Sequence, residues 1–187
     1  MIHIQSNYSS SSLTNVQSKD IQPNAVDLRL GKVLAYKKRY SGLTEMNTPC
    51  VKINDFVIDE ERKVHRKTEE LQYDDDGYWR LEPGSYEIVF ENIITIGEGE
   101  AGFVITRSTL NRNGLFLTSG LYDSGYCGPM AGCLHVTGGP AYIKKGTRIG
   151  QFLLFKAESL RLYSGDYGFN PDGTAKQNDV KYLGVQN

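Results

Sequence analysis

The chain has 187 residues, enough for one domain with a real core, and its 21 Lys and Arg nearly balance 22 Asp and Glu for a net charge of −1. That balance excludes a general nucleic-acid binder, which carries a basic excess, but leaves room for a small anionic ligand held by a few local arginines. No stretch approaches the ~20 apolar residues a membrane span needs, and the start, Met1-Ile2-His3-Ile4-Gln5, lacks the regions of a signal peptide. The expected setting is the cytoplasm.

In chain order, residues 5–20 are polar and serine-rich, with Ser9 to Ser12 consecutive, and read as a flexible lead-in. Val26, Leu28 and Leu30 then alternate with Asp27 and Arg29, the period-2 pattern of a half-buried strand, with a stop at Gly31 and an extension over Val33 to Tyr36. Residues 37–78 hold charge clusters (Lys37-Lys38-Arg39, Asp59 to Arg62, Asp74-Asp75-Asp76) around strand-like pieces at 51–58 and 68–73, and read as variable hairpins or an insertion. Trp79 to Leu81, a turn at Glu82-Pro83-Gly84, and Tyr86, Ile88 and Phe90 in alternation resume the strand pattern. Strands follow at Ile93–Ile96, Phe103–Ile105, Leu115–Leu117, Met130–Val136 and Ile149–Phe155, with one helical turn at 108–113. The tail, 163–187, is rich in Gly, Asp, Asn and Tyr and has no period. Twenty glycines and nineteen Tyr and Phe favour strands and turns, so the reading is a single all-β domain over 1–187, a barrel or sandwich.

Three cysteines (Cys50, Cys127, Cys133) and three scattered histidines (His3, His65, His135) show no metal-ligand spacing, which points to reduced thiols and no zinc site.

Three stretches carry candidate chemistry. Arg107-Ser108-Thr109-Leu110-Asn111-Arg112 follows a strand, and if it curls, its hydroxyls, N–H groups and guanidinium forks converge on phosphate. It also reads as an ordinary basic turn. Gly120-Leu121-Tyr122-Asp123-Ser124-Gly125-Tyr126 offers an aspartate that can orient and deprotonate a water, or simply cap its own turn. Gly146-Thr147-Arg148-Ile149-Gly150-Gln151 places an amide ahead of an apolar strand.

In this order the stretches resemble the dUTPase / dCTP deaminase superfamily. Ile21 to Gly31 and Leu81-Glu82-Pro83-Gly84 are similar to two deaminase motifs, and Arg107-Ser108-Thr109-Leu110-x-Arg112-x-Gly114-Leu115 resembles the deaminase arginine-serine signature. Gly120-x-x-Asp123-Ser124-x-Tyr126-x-Gly128 looks like the dUTPase aspartate motif, and Gly146-x-x-Ile149-Gly150-Gln151 is similar to the shared glutamine motif. The resemblance covers 21–36 and 80–157. It implies a distorted dUTPase-like β-barrel (the β-clip fold) and a homotrimer with sites between subunits. It also implies a pyrimidine deoxynucleoside triphosphate as substrate and Mg2+ carried by the triphosphate, with no direct metal ligand.

By the same resemblance Asp123 is the catalytic base, and Arg107, Ser108, Thr109, Arg112 and Gln151 hold phosphates. Tyr126 stacks on the sugar. Thr118, Gly120, Leu121 and Cys133 face base and sugar, while Tyr163, Tyr167 and Phe169 supply a lid. Cys133 occupies the position of the deaminase glutamate, ten residues after the aspartate, while Leu117 replaces a dUTPase asparagine and Asp166 a deaminase lysine. Hydrolysis of dUTP to monophosphate and diphosphate is therefore the leading expectation. A dCTP deaminase, or a bifunctional enzyme with a non-standard proton-transfer residue, and a catalytically weak regulatory trimer are the alternatives.

Overall fold

The computed structural model describes residues 1–36, 39–43, 49–52 and 68–182. The chain forms β1 (Ser12–Leu13), β2 (Val26–Tyr36), β3 (Arg39–Leu43), β4 (Pro49–Lys52), β5 (Thr68–Glu70) and β6 (Tyr78–Leu81). These are followed by β7 (Gly84–Thr95), β8 (Glu100–Thr106), the single turn α1 (Ser108–Asn111), β9 (Leu115–Thr118), β10 (Cys127–Val136), β11 (Ala141–Lys144) and β12 (Arg148–Lys156). Short 3-10 turns lie at Ser18–Asp20 and Val180–Tyr182. The expected strand piece at 51–58 and the run Asp59 to Arg62 fall largely or wholly outside the described residues.

The main sheet is antiparallel, in the order β8-β12-β2-β7-β10-β9, with β1 and β5 on the flanks of β7 and β2. Its two ends meet through side chains. The Thr106 hydroxyl accepts from the Leu117 N–H at 2.7 Å, and the Ser119 hydroxyl accepts from the Val104 N–H at 3.0 Å. Hydroxyl bridges in place of a strand ladder nearly close the barrel between β8 and β9. Separate β3–β4 and β6–β11 pairs stand off this sheet.

Alternation builds the interior. Leu28 and Leu30 on β2, Ile88 and Phe90 on β7, Leu115 and Leu117 on β9, Leu134 and Val136 on β10, and Phe152 and Leu154 on β12 point into one core. Burying each contributes on the order of 1.5–3 kcal/mol, so this face sets the register of every strand. Gly102 is fixed by the same packing: a Cβ there would lie 2.3 Å from the Phe152 ring and 2.6 Å from the Leu153 carbonyl. Trp79 on β6 is buried, with its indole N–H donating to the Leu71 carbonyl at 2.9 Å.

The polar face of β2 departs from the half-buried expectation. Asp27 and Arg29 are buried, and Gly31 lies inside a strand that continues to Tyr36. Residues 17–22 cover this face, and Arg29 donates to both Asp20 carboxylate oxygens (3.1 and 2.5 Å) and to the Gly146 carbonyl (3.0 Å). Burial raises the Asp20 carboxyl, but the Arg29 guanidinium and the Gln17 N–H outweigh it and hold it below the usual carboxylate range.

The serine run is a second correction, because Ser9 to Ser11 form a cradle. The Ser9 hydroxyl, the Ser10 N–H and both the N–H and hydroxyl of Ser11 donate to the fully buried Glu100 carboxylate, which also takes Lys156 Nζ at 2.7 Å. A carboxylate with five donors is an anchor, so residues 9–13 are tied down and Ser12–Leu13 adds to β7. Among the described residues no helix is long and apolar enough to cross a membrane.

Candidate active site

The predicted site residues fall into three places on the barrel. At one end of β8, Arg107 leads into α1, its N–H continuing the ladder to the Ile149 carbonyl at 3.1 Å. Its side chain turns to Asp27, with Nε 3.3 Å from Oδ2, and its Nη1 donates to the Arg148 carbonyl at 3.2 Å. Gln151 sits across the β2–β12 pair from Asp27 and donates to Oδ1 at 3.0 Å. Arg148 donates to Oδ2 at 3.1 Å and to the Lys19 carbonyl at 2.6 Å. One buried carboxylate thus gathers two of the expected phosphate donors and an arginine that was not expected. Ser108, Thr109 and Arg112 are exposed on the turn that follows.

Asp123 lies at the other end of β8. Gly102 and Tyr122 exchange both backbone hydrogen bonds (3.0 and 2.8 Å), which docks the aspartate turn on this strand. The turn itself is closed by backbone: the Tyr126 N–H donates to the Asp123 carbonyl at 3.0 Å, and Gly125 takes φ 82°. Ser124 pins it from below, its hydroxyl donating to the Glu100 carbonyl at 2.6 Å. The Asp123 side chain is exposed and makes no hydrogen bond or ion pair to a described residue, so it does not cap its own turn. It lines a groove of about 580 Å³ walled by Leu121, Ser124 and residues 157–165.

Tyr126 corrects the expectation drawn for it. Its ring is 7% exposed, packed between Tyr122 (centroids 5.4 Å) and Tyr163 (5.3 Å), and its hydroxyl donates to the Pro129 carbonyl at 2.8 Å. It is a core residue with no free face for a sugar. Burial drives its phenol far above the usual range, with the charge of Asp179 adding to the effect.

The tail does not hang free. The Phe169 N–H donates to the Cys127 carbonyl at 2.7 Å, the Gly168 N–H to the buried Asp179 carboxylate, and the Tyr167 N–H to the Tyr163 hydroxyl at 3.3 Å. Tyr163, Tyr167 and Phe169 thereby border a hollow of about 450 Å³ beside the aspartate turn, with Lys176 Nζ 5.2 Å from the Tyr163 ring centroid. All three stay at the Asp123 end, away from Arg107.

Thr118 and Cys133 face each other across β9 and β10, on the outer surface of the sheet. Thr118, Gly120 and Leu121 are exposed. Burial raises the Cys133 thiol above its ordinary value, the Tyr36 and Tyr86 contacts oppose this, and the charge of Glu87 reinforces it, so the thiol is neutral near pH 7. Glu87 is the β7 partner of Cys133 in register and accepts a short hydrogen bond from the Tyr182 hydroxyl. His135 joins the same surface, within 3.3 Å of the Thr118 hydroxyl and 3.0 Å of the Ser85 hydroxyl, stacked on Phe116. Sequence reading missed Glu87 because strand pairing, not proximity in the chain, brings it to Cys133. A carboxylate on the outward phase of Ser85-x-Glu87 was the available signal.

A nearly closed antiparallel barrel thus carries an arginine–glutamine cluster at one end of β8 and, at the other, an exposed carboxylate with no partner among the described residues. The chain belongs to the dCTP deaminase-like family, whose model matches residues 3–157. It is 31% identical over 150 residues to a probable deoxyuridine 5'-triphosphate nucleotidohydrolase of Aeropyrum pernix, covering 79% of this chain and 84% of that protein. It is 28% identical over 165 residues to the deoxyuridine 5'-triphosphate nucleotidohydrolase of Methanocaldococcus jannaschii, covering 88% and 97%. The crystal structure of 2'-deoxycytidine 5'-triphosphate deaminase from Agrobacterium tumefaciens superposes with a TM-score of 0.51 at 19% identity. That match covers 77% of this chain and spans 42% of the other, and it speaks for the fold.

Proposed function

We propose that this protein hydrolyses a pyrimidine deoxynucleoside triphosphate, dUTP foremost, to the monophosphate and diphosphate. The observation that carries this reading is Asp123, a solvent-facing carboxylate free of partners among the described residues, on a turn held rigid by backbone bonds and Ser124. Such a group is built to accept a proton from water attacking phosphorus. Arg107, Ser108, Thr109, Arg112 and Gln151 stabilise the charge that develops on the phosphate oxygens. The names carried by the relatives point to the same substrate.

In this reading Asp123 and Arg107 of one chain serve different triphosphates. Tyr122 is bridged to Gly102, and five residues of extended strand, about 17 Å, separate Gly102 from Arg107. The reading therefore places each site between copies of the chain, in a homotrimer, with the aspartate turn of one copy facing the arginine turn of another. Leu121, Leu160 and Leu162, 61%, 100% and 51% exposed around the Asp123 groove, suit a surface that a second copy covers. The docked tail serves in this assembly as a wall, with Tyr163 lining the Asp123 groove and Tyr167 and Phe169 the neighbouring hollow.

Among the described residues no three His, Cys, Asp or Glu side chains converge on a metal position. The donor set fits Mg2+ that enters on the triphosphate oxygens and shields their charge. This reading sets the exposed residues Thr118, Gly120 and Leu121 against the base, beside Cys133.

A second reading, deamination of dCTP, draws on Glu87, a carboxylate directly across from Cys133. Incubation with Mg2+ and each of dUTP, dCTP and dTTP, followed by ion-exchange separation, tests both. Monophosphate and diphosphate from dUTP are expected; dUTP formed from dCTP would transfer the case to the second reading. Mixing Arg107→Ala with Asp123→Asn subunits should restore activity that neither has alone, and light scattering should give three times the chain mass.

A further inference from the structure

Arg29 on β2 and Arg148 on β12 are paired in register on the polar face of β2, and the structure treats them differently. Arg29 is 9% exposed and spends Nε, Nη1 and Nη2 on Asp20 and the Gly146 carbonyl, so it is consumed by the fold. The Arg148 side chain is 30% exposed and uses Nη1 alone, on Asp27 and the Lys19 carbonyl. Its Nε and Nη2 make no hydrogen bond to a described residue. Arg107, with a side chain 26% exposed, has Nη2 left in the same way.

The charge balance decides what this arrangement does. Asp27 is fully buried and needs one cation to offset it, yet two guanidiniums converge on its Oδ2, at 3.3 and 3.1 Å. The anion is sealed while both cations keep open edges, which leaves a local excess of about one positive charge beside the Gln151 amide. A purely structural pair would seal both partners, as Asp20 and Arg29 do. Pinned guanidiniums with spare N–H groups are preorganised for phosphate oxygens, since the ordering of the side chain is already accomplished by Asp27 and Lys19.

We propose that Arg148 is a further phosphate-binding residue, presented together with Arg107 and Gln151 by the buried carboxylate of Asp27. This deepens the diphosphatase reading and rests on it for the identity of the substrate, but its chemistry is recognition of a diphosphate group.

The test is titration calorimetry of the full-length protein with inorganic pyrophosphate and Mg2+, and separately with dUMP, alongside thermal unfolding. Arg148→Gln should weaken pyrophosphate binding about 10- to 100-fold, the loss of a charge-assisted fork, and leave dUMP within about twofold. Arg148→Lys, which keeps the charge and loses the fork, should weaken it by at least about threefold; it decides the matter if the Gln variant does not fold. Arg29→Lys should lower the unfolding temperature without changing pyrophosphate affinity. Wild-type affinity in folded Arg148→Gln, unchanged affinity in Arg148→Lys, or equal losses of pyrophosphate and dUMP binding would each overturn the proposal, as would wild-type protein that binds no pyrophosphate. Pyrophosphate binding that follows these variants in a protein that hydrolyses no triphosphate would support Arg148 while ending the diphosphatase reading.

Discussion

Gln151 lies directly across the β2–β12 pair from Asp27 and donates to its carboxylate at 3.0 Å, so a side chain read as a ligand contact is held by the strand that opens the barrel. Asp27→Asn keeps the volume but removes the charge that also aligns Arg107 and Arg148. Hydrogen bonds to a charged group contribute about 1.5–3 kcal/mol, less where the partners are partly solvated, so a loss of about 1–3 kcal/mol is expected. Urea unfolding measures it. An unchanged midpoint would show that Asp27 organises nothing.

Glu100 gives the fold an acid limit. Burial alone would raise its carboxyl, but Lys156, Ser11, Ser10 and Ser9 outweigh it and pull it from 4.5 down to about 2. The folded value lies below the unfolded one, so the stabilisation is complete above about pH 4.5 and disappears as the pH falls toward 2. Asp20 shifts in the same direction and adds to the slope. The urea midpoint should therefore drop steeply across this window in the wild type and more gently in Glu100→Gln, which should also be less stable at neutral pH. Parallel curves would contradict the cradle.

Restoring the deaminase-type carboxylate by Cys133→Glu should not confer dCTP deamination. The new side chain would face Glu87 in register across β7 and β10, and like charges directly opposite destabilise a sheet. The expected result is a lower unfolding temperature and no ammonia from dCTP. Deamination by this variant would show that the two carboxylates share the site.

Apolar alternation made the barrel readable. Leu28 with Leu30, and Ile88 with Phe90, fall on the interior face that their spacing implied. The same rule misplaced Asp27 and Arg29, because their partners Asp20, Arg107 and Arg148 arrive from other segments and neutralise a face that looks solvated in isolation. Ser9 to Ser11 looked flexible for the same reason: Glu100 lies some ninety residues away. Tyr126 resembled a sugar-stacking residue in its motif, yet its hydroxyl finds the Pro129 carbonyl three residues on and turns the ring inward. Asp123 was legible because a short turn fixes it locally; Glu87 was not, because only strand register reveals it.

The tail crosses the start of β10 at Gly168, where φ is +88° and a Cβ would sit 2.3 Å from the Cys127 carbonyl oxygen. Gly168→Ala should detach residues 163–182 at a cost of about 1–3 kcal/mol. Hydrogen exchange at the Phe169 and Lys176 amides, now bonded to the Cys127 and Gly168 carbonyls, should accelerate. Gly173→Ala shares the left-handed φ (+84°) but meets no atom within 4 Å of its added Cβ, so its strain should stay in the Asn170–Thr174 turn and leave the Phe169 amide protected. Equal protection in both variants would contradict a crossing that needs glycine.

The most direct test of the catalytic account is the steady-state hydrolysis of dUTP by Asp123→Asn with Mg2+ present. The substitution preserves the backbone-closed turn, so the variant should fold, bind dUMP as the wild type does, and lose about 10²–10⁴-fold in kcat, the contribution of a positioned general base. Full activity in Asp123→Asn would remove the aspartate from the chemistry and the account with it.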